Sequence, residues 1–329
     1  MKKSIIIFSL FLTSTLLFQS CKNSAPLKPA PSGMAFELLY VINPSDTAAA
    51  SPLTEALLGP VPYLPQPEAQ FNLSKIDHSM YDHLLQTTRN ILFVTVDKEK
   101  FTHSKIIFKH DMWANSQAVC YVNAPCKDSL NALVAEHADH IVDFFVKSER
   151  ERMHKYYVDN VNKNANYIVD SLFGINLAIP TSLNKYKYGN HFLWISNSSA
   201  TANQNIVVYS TPYTSTEQLT HEALLARRDS VMRANIPGEL PGSYMGTELK
   251  HLYPATKFIN HNGKWCAETR GLWRMQNGAS MGGPFVALTV IDEIHQQILT
   301  VEGFVYAPSR DKRNLLRQMD AMVYSLVIK

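Results

Sequence analysis

The sequence predicts an α+β fold in two similar halves, each a mostly antiparallel sheet with helices packed on one face. Three observations predict it. First, Ala124–Leu133 and Ala307–Leu316 both read A-P-x-[KR]-D-x-x-N-x-L. Second, each of these segments follows two strand-like runs, Lys105–His110 with Gln117–Val122 in one case and Phe285–Asp292 with Gln297–Tyr306 in the other. Each also leads into an amphipathic helix. Third, Leu53–Leu58 (LTEALL) is echoed by Thr220–Leu225 (THEALL), each after an apolar strand, Phe36–Ile42 or Asn205–Ser210, and before a Pro-rich loop. Two echoes in the same order leave an internal duplication open.

The elements follow in chain order. Lys2 and Lys3 precede a mainly apolar run, Ile5–Phe18, that is too short for a bilayer core of ~30 Å but suits a signal-peptide core. The run ends in Ser20-Cys21, which resembles a bacterial lipobox, so residues 1–20 read as a lipoprotein signal peptide and Cys21 as the lipid-attachment site. The competing reading is an ordinary secretory leader with an incidental cysteine. Residues 21–34 are rich in Pro and lack apolar periodicity, as a flexible tether does. Multiple acyl chains at ~0.8 kcal/mol per buried methylene would hold such a chain on a membrane without a spanning helix.

Residues 35–160 form the N-terminal half and residues 161–329 the C-terminal half. A long helix is predicted from Lys127 to Tyr157, because Leu130, Leu133, Val134, Ile141, Phe144 and Phe145 recur at helical spacing. The asparagines at 160, 162, 164 and 166 mark a bridge between the halves over 160–173. Ser309 reads as the N-cap of the last helix, with Asp128 and Asp311 complementing the dipoles of the two closing helices. Cys120 and Cys126 flank a short turn, so a local disulfide is conceivable, but their side chains diverge if one is in a strand and the other at a helix start. Three free thiols are the favoured state.

Composition and charge narrow the function. The 329 residues are 46% hydrophobic and 18% charged, which excludes a disordered or collagen-like protein. Lys+Arg total 31 against 28 Asp+Glu, and two of the lysines leave with the signal peptide. No electrostatic reason for nucleic-acid binding remains.

Gly278-Ala279-Ser280-Met281-Gly282 matches G-x-S-x-G, and Asp292 and His295 follow in the order of a hydrolase triad. A nucleophile elbow needs a helix directly after its serine, whereas Phe285–Val290 is β-rich. The glycines read instead as residues of positive φ in a tight connection. His137 and His140 are three apart, not four, and His137 falls on the apolar stripe of its helix, so no metal is assigned. No cofactor motif is present. Arg270, Trp273 and Arg274 form a candidate patch for a partner or ligand, since aromatic residues and Arg are enriched at hot spots. The alternative is core packing with solvated arginines.

Arg270–Trp273 (RGLW), Met281–Phe285 (MGGPF), Glu302–Pro308 (EGFVYAP), Lys312-Arg313, Gly59–Glu68 (GPVPYLPQPE) and Arg89–Leu92 (RNIL) resemble a domain of unknown function, family 4837, found in lipoproteins of the Bacteroidetes. The resemblance runs from about Phe36 to the C-terminus and implies no reaction. In such bacteria surface export calls for acidic residues after the lipidated cysteine. Lys22-Asn23-Ser24 lacks them, so the resemblance implies the periplasmic face of the outer membrane. The expected function is a membrane-tethered, palmitate-bearing periplasmic lipoprotein that is not an enzyme and serves binding or envelope assembly. Its expected partner is an envelope protein or glycan. The alternative is a periplasmic serine hydrolase using Ser280.

Overall fold

The computed structural model describes residues 28–197 and 199–329. The signal peptide, Cys21 and the start of the tether lie outside the described residues. In the first half β1 (Glu37–Ile42), helix α1 (Ser51–Leu58), β2 (Asn72–Ile76), β3 (Asn90–Val96), β4 (Lys105–His110), β5 (Ala118–Ala124) and helix α2 (Lys127–Asp159) follow in order. The sheet runs β2-β1-β3-β5-β4. Its β2/β1, β1/β3 and β3/β5 pairs are parallel, and only β4/β5 is antiparallel.

Parallel pairing follows from burial on both faces. Leu38, Tyr40 and Ile42 meet α1 and α2 through Leu53, Leu57, Leu130, Val134, Ile141 and Phe145. Leu39 and Val41 point the other way, where Phe93, Tyr81 and Trp113 pack under the connecting loops. The unbroken apolar runs Leu38–Ile42 and Ile91–Val94 are the sequence mark of such strands.

The second half opens with helix α3 (Lys163–Phe173), followed by β6 (Ile175–Asn176), β7 (Lys185–Gly189), β8 (Phe192–Ser196), β9 (Asn203–Pro212) and helix α4 (His221–Asn235). It continues through β10 (Tyr244–Thr247), β11 (Ala255–His261), β12 (Lys264–Gln276), β13 (Gly282–Asp292), β14 (Gln297–Tyr306), helix α5 (Arg313–Val323) and β15 (Val327–Ile328). An antiparallel sheet runs β10-β12-β13-β14-β9-β8-β7, with β11 also on β12. Helices cover both of its faces. Phe192, Val207, Tyr209 and Phe285 pack under α4 with Met232, and Leu193, Val208, Val286 and Val301 pack under α5 with Leu316 and Met319.

The α+β class, the two halves and the overall antiparallel bias stand as expected. The duplication does not, because the two sheets differ in strand order and in pairing. What recurs is local: β4-β5-α2 and β13-β14-α5 are both an antiparallel hairpin, an Ala-Pro step and a helix. Residues 163–173 are not a bridge but α3, whose N-cap Asn162 accepts the Ala165 N–H. Cys120 is a buried free thiol and Cys126 an exposed one at the N-cap of α2.

Two devices join the halves. The first is α2, whose 33 residues reach ~50 Å at 1.5 Å each. Its first turns fill the N-terminal core, and farther along Met153 and Tyr157 reach the C-terminal one. Between them, buried Glu149 accepts from Phe36 N (3.1 Å), Asn90 Nδ2 (2.7 Å) and Arg89 Nη2 (2.7 Å).

The second device is the Pro-rich segment 59–71, a strap laid on α5. Ser309 is not the cap of this helix. Its φ is +59°, and α5 starts later, with Lys312 in the N-cap position and no side-chain bond of its own. The cap comes from the other half: Glu68 Oε1 accepts the Lys312 N–H at 2.7 Å and Oε2 the Arg313 N–H at 2.8 Å. Those orphan donors and the positive end of the helix dipole make this a favoured place for a carboxylate. Arg313 Nη1 donates back to Ala69 O at 2.7 Å, and Arg317 Nη2 to Gln70 Oε1 at 2.6 Å.

Glu68→Ala is therefore expected to lower stability to urea by ~1–2 kcal/mol, the range for a lost N-cap. A change within experimental error would show that the strap does not secure the helix.

Candidate functional site

Helix α4 covers only part of its face of the second sheet. It ends at Asn235, where Ile236-Pro237 turns the chain away. Beyond that end a cavity of about 480 Å³ opens. Strand alternation sends Trp194 of β8, Trp273 of β12, and Phe304 and Tyr306 of β14 to this one face. Met245, Met275 and Met281 complete the apolar wall, and Ser196, Ser199, Asn203 and Glu239 stand around it.

The aromatic rings brace one another. Trp273 meets Phe304 edge-on with centroids 5.6 Å apart, and Trp194 lies 6.2 Å from Phe304. Both indole N–H groups are used internally: Trp273 Nε1 donates to Val305 O at 3.0 Å and Trp194 Nε1 to Asn205 Oδ1 at 2.8 Å. The cavity is thus offered ring surface and thioether sulfur rather than indole N–H donors. Gly283 makes the Trp273 bond possible, since a Cβ there would sit 2.0 Å from Val305 O and 3.1 Å from Trp273 Nε1. The loop glycines serve close approach rather than positive φ; in that connection Asn277 takes the left-handed conformation, at φ +53°.

The predicted patch splits across the sheet. Trp273 is 4% exposed and belongs to the cavity wall. Arg270 points to the opposite face, where Nε donates to Glu268 Oε1 at 2.7 Å and Nη2 lies 2.8 Å from Asp320 Oδ1 of α5. Arg274 shares that opposite face and lies 3.1 Å from Glu248 Oε2. Period-two alternation along β12 could have separated 273 from 270 and 274, and the same alternation in Phe192–Ser196 marks Trp194.

The hydrolase reading fails on distance. Ser280 is exposed just before β13, and Asp292 closes that strand ten residues after Gly282, ~30 Å away at ~3.3 Å per residue. His295 Nδ1 sits 2.7 Å from Asp292 Oδ2, at the far end from the serine. The element directly after Ser280 is strand β13, not a helix. His137 and His140 stack on the outer surface of α2 with ring centroids 5.8 Å apart. Among the described residues no three His, Cys, Asp or Glu side chains gather as a metal would require.

The motif residues that build the cavity, Trp273, Met281–Phe285 and Phe304–Tyr306, lie in a stretch that a family model described as Domain of unknown function (DUF4837) matches over residues 161–325. The chain belongs to that family. A second model, Domain of unknown function (DUF8532), matches residues 31–158. The Gly59–Glu68 and Arg89–Leu92 motifs fall in this second match, so the DUF4837 likeness does not extend back to Phe36. No curated protein matches the chain. Among solved structures, the Saccharomyces cerevisiae Ran-binding protein Mog1p is 9% identical, with 47% of this chain and 90% of that chain covered at a TM-score of 0.32. A point mutant of protein Mog1 is 11% identical over the same shares at a TM-score of 0.31. Likenesses of that size carry no argument about this DUF4837 protein.

In this DUF4837 protein Trp273→Ala is expected to cost ~3–5 kcal/mol of stability, as a large buried aromatic does. Arg274→Ala, which breaks a half-exposed pair, is expected to cost less than ~1 kcal/mol. Equal, small losses in urea unfolding would contradict the placement of Trp273 in the wall.

Proposed function

We propose that this protein is a lipid-anchored envelope protein that works by binding, and that its aromatic cavity takes an apolar side chain of a partner envelope protein. The anchor is Cys21, and the proposed location is the periplasmic face of the outer membrane. The supporting sequence features are the short apolar leader, Ser20-Cys21 and the Pro-rich tether.

One observation carries the binding half of the proposal: a 480 Å³ cavity walled by four aromatic rings and three methionines, with Glu239 its one charged lining residue among the described residues. Aromatic walls of this kind anchor apolar side chains at interface hot spots, and methionines adapt to the shape that enters. A glycan fits less well, because aromatic rings, methionines and other apolar residues make up most of the lining. A sugar ring also needs polar partners around its rim.

A photo-crosslinking residue at exposed Glu239, in cells expressing the full chain, tests both halves. The expected result is one discrete protein adduct in the membrane fraction, lost on Met281→Asp. Fatty-acid labelling of the same chain is expected to disappear on Cys21→Ser. An adduct indifferent to Met281→Asp would overturn the cavity, and acyl label retained by Cys21→Ser would overturn the anchor. An adduct resistant to protease would make the occupant a glycan instead.

A further inference from the structure

A second cavity, of about 590 Å³, lies on the opposite face of the second sheet, where the strap, α2, β11, β12 and α5 converge. Its charge is unbalanced. Among the described residues Lys147, Arg150, Lys257, Arg270 and Arg317 line it, and only two lining residues are acidic. Asp320, behind the wall, adds one more carboxylate.

The partners are unevenly shared. Arg270 takes both Glu268 and Asp320, at 2.7 and 2.8 Å. Glu268 also accepts the Tyr324 hydroxyl. Arg317 is left with Asp320 Oδ2 at 3.6 Å and Gln70 Oε1 at 2.6 Å, and its Nε is buried without a partner. The Arg150 guanidinium lies over the Tyr324 ring, 3.9 Å from the centroid. Among the described residues it has no carboxylate within 4.0 Å. Among the described residues Lys147 has only a solvent-exposed contact with Glu151 at 4.0 Å, which is worth little.

We infer that this cavity between the halves binds the phosphoryl head of a phosphate monoester, with Arg150 and Arg317 as its principal contacts. Counting buried Asp320 and leaving out solvent-exposed Glu151, the cations exceed the carboxylates by the two charges that a phosphate monoester dianion carries. Guanidinium forks match its tetrahedral oxygens. Val142, Val146 and Ile259 line the same space and suit an apolar body attached to the head. Burial, with Arg270, Arg150 and Arg313 adding to it, pushes the Arg317 guanidinium down to about 10, a strain that a bound anion relieves. The site needs both halves, since Arg150 comes from one and Arg317 from the other. It is separate from the aromatic cavity and does not rest on that reading.

Thermal unfolding of the full chain in neutral detergent tests the inference, with glycerol 3-phosphate as the probe and chloride at matched ionic strength as the reference. A rise of about 3 °C at about 10 mM probe is expected at pH 7.5, by preferential binding to the folded state. The apparent affinity is expected to fall about tenfold in Arg150→Gln and to recover in part in Arg150→Lys, which restores charge without the fork. The partial recovery separates ligand contact from a fold defect. No shift in the wild type, or the same shift in Arg150→Gln, would overturn the inference. Flotation of the Cys21→Ser chain with vesicles containing phosphatidic acid, and not with phosphatidylcholine alone, would assign the phosphate to a lipid. A thermal shift without flotation would assign it to a soluble ester.

Discussion

The carboxylate of Glu68 at the N-terminus of α5 is the contact on which the rest of the architecture turns. A helix start buried against another segment must find acceptors for its first N–H groups. Here neither Ser309 nor Asp311 provides them, and the acceptor arrives from a strap far away in sequence. Once α5 is held, Leu316, Met319 and Val323 close the core beneath the second sheet. Gly303 permits that approach, because a Cβ there would meet Met319 Cβ at 2.6 Å. The strap also carries Val61 and Leu64 into the same core. The seam between the halves is therefore apolar packing with a charged lock at one end.

Helix α2 makes the complementary join. Its buried Glu149 accounts for two residues of the Arg89–Leu92 motif, since Arg89 and Asn90 both donate to it. A buried carboxylate without such donors would be strongly destabilising. The next residue, Arg150, turns to the seam instead and stacks on Tyr324. One turn of helix thus stabilises the first half and furnishes the cavity between the halves. The two cavities then differ in kind: aromatic rings and sulfurs on the α4 face, guanidinium groups on the α5 face.

Much of the local structure was legible in the sequence. The hairpin strands Lys105–His110 and Gln297–Tyr306 and the long helix from Lys127 follow from alternation and helical spacing, and all three are present. What escaped was non-local. Parallel pairing of β1 and β3 depends on what covers both faces, and the apolar runs Leu38–Ile42 and Ile91–Val94 were the available signal. Ser309 looked like a cap because local rules weigh only neighbours, whereas the true partner was Glu68. Trp273 stands out in the sequence by residue type alone. Its place in the cavity depends on Trp194, Met281 and Phe304 from separate chain segments, and on a face opposite to that of Arg270 and Arg274.

Strap and helix together make the two halves a single cooperative unit. Native-state hydrogen exchange of the full chain at rising denaturant tests it most directly, by following amides of β1 and β3 together with those of β13 and β14. Both sets are expected to merge into one opening with a common denaturant slope and midpoint. Loss of protection in the first sheet while β13 and β14 remain fully protected would contradict it.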